Sequence, residues 1–398
     1  MGSRRQFTGC VLIRPLFRFR RAGDGPVWLH PMRFFALGLG LFFSATLFAQ
    51  TENQVVLELR PTAGNPRNSE GGFAQLKDGR ILFYYTQFYG GNRDHSAARV
   101  VGIQSDDDGR TWSAPREIIQ GVDGRGLNVM SVSLLTLASG KLALFYLFTK
   151  STEDCRPYVA YSEDGGATWS APRLVIDSPG YFILNNDRAI QTSRGRIILP
   201  MNSHRMAGTR GAAVWYYSDD EGATWQESLS RWGVAEGKSG LQESGAVETA
   251  AGALFSWCRT DLGSQYQFRS ADDGKTWSAP APSALLSPLS PASVKRLPNS
   301  RELLAVFNDH SGQFPFIKGR RAPLVAAVSS DDGQTWPRRK LIEGDNSIWY
   351  HYIAIHCSAD AVLLAYNVGD DEMARLSGPL RVRRIEYSWL PTAKAPGP

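Results

Sequence analysis

The sequence predicts an all-β fold, a six-bladed β-propeller, on three observations. The segment S-x-D-x-G-x-T-W occurs five times. Its tryptophans, Trp112, Trp169, Trp225, Trp277 and Trp336, follow one another at intervals of 57, 56, 52 and 59 residues. An apolar, strand-like run precedes each copy. A single period in the fifties marks a repeated structural unit, and four-stranded antiparallel units repeated radially make a propeller.

The five segments are Ser105–Trp112, Ser162–Trp169, Ser218–Trp225, Ser270–Trp277 and Ser329–Trp336. Their chemistry is that of a hairpin turn known as the Asp box. Asp107, Asp164, Asp220, Asp272 and Asp331 cap backbone N–H groups of the turn. Gly109, Gly166, Gly222, Gly274 and Gly333 allow a left-handed backbone. Serine and threonine hydroxyls tie the strands, and the tryptophan packs between neighbouring units. The runs ahead of the boxes read RILFYY, KLALFYLF, RIILPM, ALFSWC and ELLAVF, so each repeat reads as a four-stranded unit. Turn chemistry accounts for every position of the five boxes, and their aspartates are not catalytic candidates.

The chain beyond the leader, divided by the period, gives about six units, within the four to eight blades usual for propellers. One blade therefore lacks the box. The last blade fits, with IAIHCS, AVLLAYN and LRVRRIEYSWL as three strands and Asn53–Arg60 (NQVVLELR) as the fourth, closing the ring. The domain reading is a leader at 1–49, one propeller at 50–391 and a disordered tail at 392–398.

Residues Met32–Gln50 (MRFFALGLGLFFSATLFAQ) combine a short basic start, an apolar run and small residues ending at Ala49. That is the grammar of a secretory signal, so the expectation is export, periplasmic or secreted, with no membrane span once the signal is removed. The Arg-rich stretch Met1–Pro31 ahead of it reads as a misassigned start. Residues 1–49 carry seven Arg and one Asp, which leaves 37 basic and 37 acidic residues in the remainder. A near-neutral mature chain removes any charge argument for a nucleic-acid partner. Cys155, Cys258 and Cys357 show no metal-ligand spacing, and no HExxH, P-loop or CxxC occurs. Buried free thiols are expected, with no metal and no cofactor.

The boxes and strand runs together resemble the sialidase (neuraminidase) superfamily with its bacterial neuraminidase repeats, over roughly Pro61 to Trp389. The resemblance implies an exo-acting glycoside hydrolase in which three arginines grip the substrate carboxylate. A tyrosine backed by a glutamate attacks the anomeric carbon, and an aspartate serves as acid and base. The chemistry explains the choice. A guanidinium binds a carboxylate through two parallel charge-assisted hydrogen bonds. A neutral tyrosine avoids the repulsion that an anionic nucleophile would meet at an anomeric carbon bearing a carboxylate, an exception to the two-carboxylate scheme.

Carried over residue by residue, the resemblance is best in Leu241–Arg259 (LQESGAVETAAGALFSWCR). It implies Glu243 as the partner of the tyrosine and Arg259 as a carboxylate ligand. In GRRAPLVAAV it implies Arg321 as the next arginine, with Arg320 as the alternative. In WYHYIAI it implies Tyr352 as the nucleophile, with Tyr350 as the alternative. In NRDHSA it implies Asp94 as the acid/base, with His95 beside it. The first blade departs from the family pattern of Arg-Ile-Pro. Here NPRNSEGGF offers a displaced Arg67, with Glu70 close to where the arginine belongs. Either Arg67 reaches in from a longer loop or the pocket holds two arginines. In YFILNNDR, Arg188 is expected to bind an acidic sugar or its hydroxyls, with Asn128 and Met130 weaker candidates of the same kind.

The lead expectation is thus release of sialic acid or a related acidic sugar from a glycan or sialoglycoconjugate. Two rivals stand beside it. One is a propeller hydrolase or lyase for another acidic glycan, which Glu70 favours. The other is a non-catalytic glycan-binding propeller, which has no use for an acid, a base and a nucleophile together.

Overall fold

Alternating apolar runs fold as expected into antiparallel sheets. The computed structural model describes residues 52–122, 124–369 and 378–392. The leader at 1–49 and the tail beyond Thr392 lie outside the described residues. Among the described residues there are twenty-five strands and one short 3-10 turn, Tyr387–Trp389. No helix among them is long and apolar enough to cross a membrane.

Three four-stranded sheets run in chain order, beginning at Arg67–Gln75, Gln242–Glu248 and Ser293–Arg296. A fourth is completed out of order: Asn53–Leu59 pairs with Leu380–Glu386, and behind it lie Ala361–Gly369 and Trp349–Cys357. The register Asn53↔Ile385 to Leu59↔Leu380 joins the two ends of the described chain, as NQVVLELR suggests. The remaining sheet has nine strands. In it two runs, starting at Asn128–Thr136 and Tyr181–Ile183, meet through a parallel bridge between Tyr181 and Cys155.

The serine–aspartate–threonine turns repeat one hydrogen-bond pattern. Ser105 Oγ donates to Asp107 Oδ1 and accepts from Gly109 N, both at 2.9 Å. Asp107 accepts from Thr111 N at 2.8 Å and Thr111 Oγ1 at 2.7 Å. The same four bonds recur from Ser162, Ser218, Ser270 and Ser329. Four of the tryptophans then pack on the preceding unit: Trp169 on Tyr84, Trp225 on Phe145, Trp277 on Trp215 and Trp336 on Phe255. Trp112 lies on Phe73 and Phe83 of its own sheet. The cluster around it reaches Leu363 and Val382 of the sheet that contains the chain's first described strand. Burial of these aromatics adds to the aliphatic contacts that hold neighbouring units together.

Of the three thiols, Cys155 and Cys258 are buried and free, and Cys357 is free but only partly buried. The expectation of burial is corrected there: Cys357 ends its strand next to the turn at Ser358–Ala361, where the sheet no longer covers it.

Candidate functional site

The first strands of four units carry the site. In each, the pairing register slips so that two residues face one, a β-bulge. The slips fall between Ser69 and Gly72, Met130 and Ser133, Gln242 and Gly245, and His351 and Ala354. The residue inside each slip has a left-handed backbone: Glu70 (φ 52°), Ser131 (57°), Glu243 (50°) and Tyr352 (56°). A bulge re-aims a side chain that regular alternation would send to a sheet face. All four of these side chains line one cavity, together with Asp94, Met130, Tyr181, His204, Gln242 and Arg259.

Asp94 enters from the loop between Ile81–Phe88 and Ala98–Ser105. Asn128 holds that loop, with Nδ2 donating to the carbonyls of Asp94 and Ser96. Asn128 therefore positions the loop and does not line the cavity; Met130 does line it.

Arg67 is fully buried, and its guanidinium is spent inside the protein. Nη1 donates to Asp94 Oδ1 at 2.6 Å and Nη2 to Glu70 Oε1 at 3.0 Å. The Phe88 ring covers it at 4.4 Å. Glu70 Oε2 also accepts from Ser131 Oγ at 2.8 Å. Burial pushes Glu70 up to about 7 although Arg67 opposes it. Burial also acts to raise Asp94, but the charge and hydrogen bond of Arg67 outweigh it and hold Asp94 below the usual carboxylate range. The two carboxyls of one arginine are thus driven apart, Glu70 raised by burial and Asp94 lowered by Arg67.

Glu243 and Arg259 form an ion pair at 2.9 Å. Gln242, opposite Arg259 in the ladder, accepts from its Nε and Nη2 at 3.1 and 2.9 Å. Tyr352 is buried, and burial followed by the charge of Glu243 pushes its phenol well up. It stays neutral at ordinary pH. Arg321 packs beside it, with Cζ 5.9 Å from the Tyr352 ring and 5.5 Å from Trp349. The two alternatives lie elsewhere. Arg320 donates to the Ser347 carbonyl, and Tyr350 is buried edge-on to Tyr366.

Arg188 departs from expectation. It is buried against Trp257, donating to Ser293 Oγ at 2.9 Å and the Ala292 carbonyl at 2.8 Å. Like Arg67 and Arg321, it does not line the cavity; its donors tie its own segment to the strand at Ser293. Three of the lining residues outside the candidates carry polar chemistry of note. Ser131 occupies a bulge. Tyr181 meets His95 at 3.4 Å. His204 donates from Nδ1 to the Thr209 carbonyl at 2.8 Å, and burial lowers its pKa, so a neutral Nε2 is left as acceptor. Bulges have no signature in these strand sequences, which is why Ser131 was not legible. Among the described residues no group of three or more His, Cys, Asp and Glu side chains is placed to hold a metal.

The family model described as the BNR repeat-like domain matches residues 122–364. The chain belongs to this family. It thereby falls in the sialidase/BNR superfamily, as two curated relatives agree. A sialidase of Micromonospora viridifaciens is 27% identical over 279 residues, 61% of this chain and 41% of that protein. A sialidase of Bacteroides fragilis (strain YCH46) is 29% identical over 158 residues, 37% of this chain and 26% of that one. The chain thus spans well under half the length of either relative. Among solved structures, the Hadza microbial sialidase Hz136 superposes with a TM-score of 0.68 at 17% identity, covering 82% of this chain and 67% of that one. That likeness shows the fold: this BNR-family chain has an all-β, sialidase-like architecture.

Proposed function

We propose that the protein is an exo-acting glycosidase that releases a terminal acidic sugar, sialic acid or a close relative, from a glycan. One observation carries this: Asp94, Glu243, Arg259 and Tyr352, drawn from two different sheets and a loop, line a single cavity. In this reading Tyr352 Oη attacks the anomeric carbon as Glu243 takes its proton. The minor protonated fraction of Asp94, the rest of which Arg67 holds ionised, protonates the departing oxygen, and water later releases the sugar from tyrosine with Asp94 acting as base. Arg259, which lines the cavity, faces the sugar carboxylate, and Arg321 packs behind it beside the Tyr352 ring. The sialidase relatives support the reaction class. We further read the six four-strand runs as six propeller blades and the five repeated turns as Asp boxes.

The test is steady-state kinetics on an aryl sialoside and a sialyl glycan, with Arg259→Ala alongside. Turnover of the aryl sialoside by wild type, with KM raised in Arg259→Ala, is the expected result. A wild type that cleaves neither substrate refutes the sialic acid assignment. A second reading, another acidic sugar, is favoured by Arg67, whose terminal nitrogens are already taken by Asp94 and Glu70.

A further inference from the structure

Where a third carboxylate-binding arginine would stand, the cavity presents Glu70. Arg67 lies behind it and cannot turn toward a ligand. Nη1 is held by Asp94 and the Asn92 carbonyl, Nη2 by Glu70 and Ser69 Oγ, and Phe88 covers its face. Glu70 itself is fixed in its bulge, 1% exposed, and lines the cavity. Its contacts leave Oε2 with only the rotatable hydroxyl of Ser131.

We propose that Glu70 meets the substrate as a neutral carboxylic acid, so that an acidic sugar enters this cavity together with one proton. The inference rests on the reading of an acidic sugar, but on no assignment of catalytic roles.

Charge counting supports it. Arg67, Arg259 and Arg321 stand against Glu70, Asp94 and Glu243, and two of the arginines are already ion-paired. With Glu70, Asp94 and Glu243 all ionised, a bound sugar carboxylate brings a fourth carboxylate to two arginines that are already ion-paired. That is costly unless a proton follows. Among the carboxyls, Glu70 takes it, because its side chain is 2% exposed against 12% for Glu243 and 55% for Asp94. The groups that act on Glu70 are Arg67, Asp94, Ser131 and Glu243, with Tyr352 neutral beside it. His95 and His204 are the other titratable groups near the site. Burial holds Glu70 at about 7, so it is poised where one additional negative charge tips it. Once protonated, it can donate to the sugar's carboxylate or a ring substituent, a role an ionised carboxylate cannot fill.

Calorimetric titration with N-acetylneuraminic acid from pH 6 to 9, in buffers of different ionisation enthalpy, tests this. Wild type should take up about one proton on binding above pH 7, with Kd rising roughly tenfold per pH unit there. The methyl ester of the same sugar should bind without proton uptake. Glu70→Gln, neutral at every pH, should bind the acid with a pH-independent Kd. Ser131→Ala, which removes a hydrogen bond that favours the ionised form, should move the midpoint to higher pH. Binding by wild type with no proton uptake, or an unchanged pH dependence in Glu70→Gln, overturns the inference. Absence of binding by the acid at every pH instead refutes the acidic-sugar reading on which it rests.

Discussion

Glu243 and Tyr352 occupy the same place in two different first strands: each sits in the two-residue slip of a bulge with a left-handed backbone, φ 50° and 56°. Glu70 and Ser131 repeat the arrangement in two more. A non-glycine residue in this region costs about 1–3 kcal/mol each and persists where the surrounding structure imposes it. Four such residues around one cavity mean that the ladder of hydrogen bonds is interrupted at one level, and that the side chains at that level turn inward.

This strain is measurable at Ser131, which has the smallest side chain of the four. Ser131→Val should destabilise the protein by roughly 1–3 kcal/mol beyond the loss of the Glu70 hydrogen bond, since a β-branched side chain resists positive φ. Ser131→Gly should come out near neutral, the relief of backbone strain offsetting the lost bond. Urea midpoints for the pair decide it. Equal midpoints for valine and glycine would show that the bulge imposes no strain.

Much of the fold was legible because its signal is repetitive and local. Five copies of one turn at one period fix the hairpins, and NQVVLELR could be assigned to the last sheet because that sheet was one strand short. The site was legible only where a family pattern marks it, as at Glu243, Arg259 and Tyr352. Arg188 shows the limit. A polar run after an apolar one places an arginine near a strand end, but whether it meets solvent or Ser293 depends on a strand 105 residues further on. Arg67 is similar. Its displacement was visible, but its enclosure by Asp94, Glu70 and Phe88 arises from three separate segments.

The repeated turns should matter for stability and not for activity. Asp220 accepts from Ser218 Oγ, Thr224 N and Thr224 Oγ1 at 2.7, 2.8 and 2.6 Å, and it does not line the cavity described above. Asp220→Ala should cost roughly 1–3 kcal/mol. Gly222→Val should cost more, since φ is 83° and a Cβ would lie 2.0 Å from Tyr161 Oη. Thermal melting should fall in both, while kcat of the folded protein stays at the wild-type value. A drop in kcat at unchanged melting temperature would contradict a purely structural turn.

Glu70 should also make stability depend on pH. Its pKa rises from 4.5 in the unfolded chain to about 7 in the folded one. The folded state therefore binds more protons between those values, and the contribution of Glu70 is full below pH 4.5 and lost as pH rises through 7. Asp94, held low by Arg67, acts in the opposite sense. Its contribution is present above its ordinary pKa of 3.8 and is lost only as pH falls below that. Between pH 5 and 8 Glu70 is the one of the two that titrates. Wild type should lose stability across this window, and Glu70→Gln should lose less. Parallel losses in urea midpoint for the two proteins would assign the dependence to another group.

The division of labour between Asp94 and Tyr352 can be separated by leaving group. Asp94 is about half exposed and is held at the edge of the cavity by Arg67 and by the Asn128-supported loop. An acid there meets the departing oxygen, while buried Tyr352 meets the sugar carbon. Positioned proton transfer is worth about 10²–10⁴-fold. Asp94→Ala should lose about that much on a sialyl glycan, whose alkoxide leaves poorly without a proton. It should lose far less on an aryl sialoside, whose phenolate needs little help. Tyr352→Phe removes the nucleophile and should lose turnover on both substrates alike. Arg67 adds a further check, since it holds Asp94 ionised in the free enzyme: the penalty in Asp94→Ala should shrink as pH rises and the unprotonated wild type loses its own acid. If Asp94→Ala falls equally on both substrates, Asp94 orients the sugar and does not protonate the leaving group. If Tyr352→Phe keeps full activity, attack comes from another group, and the Glu243–Tyr352 pairing describes only the fold.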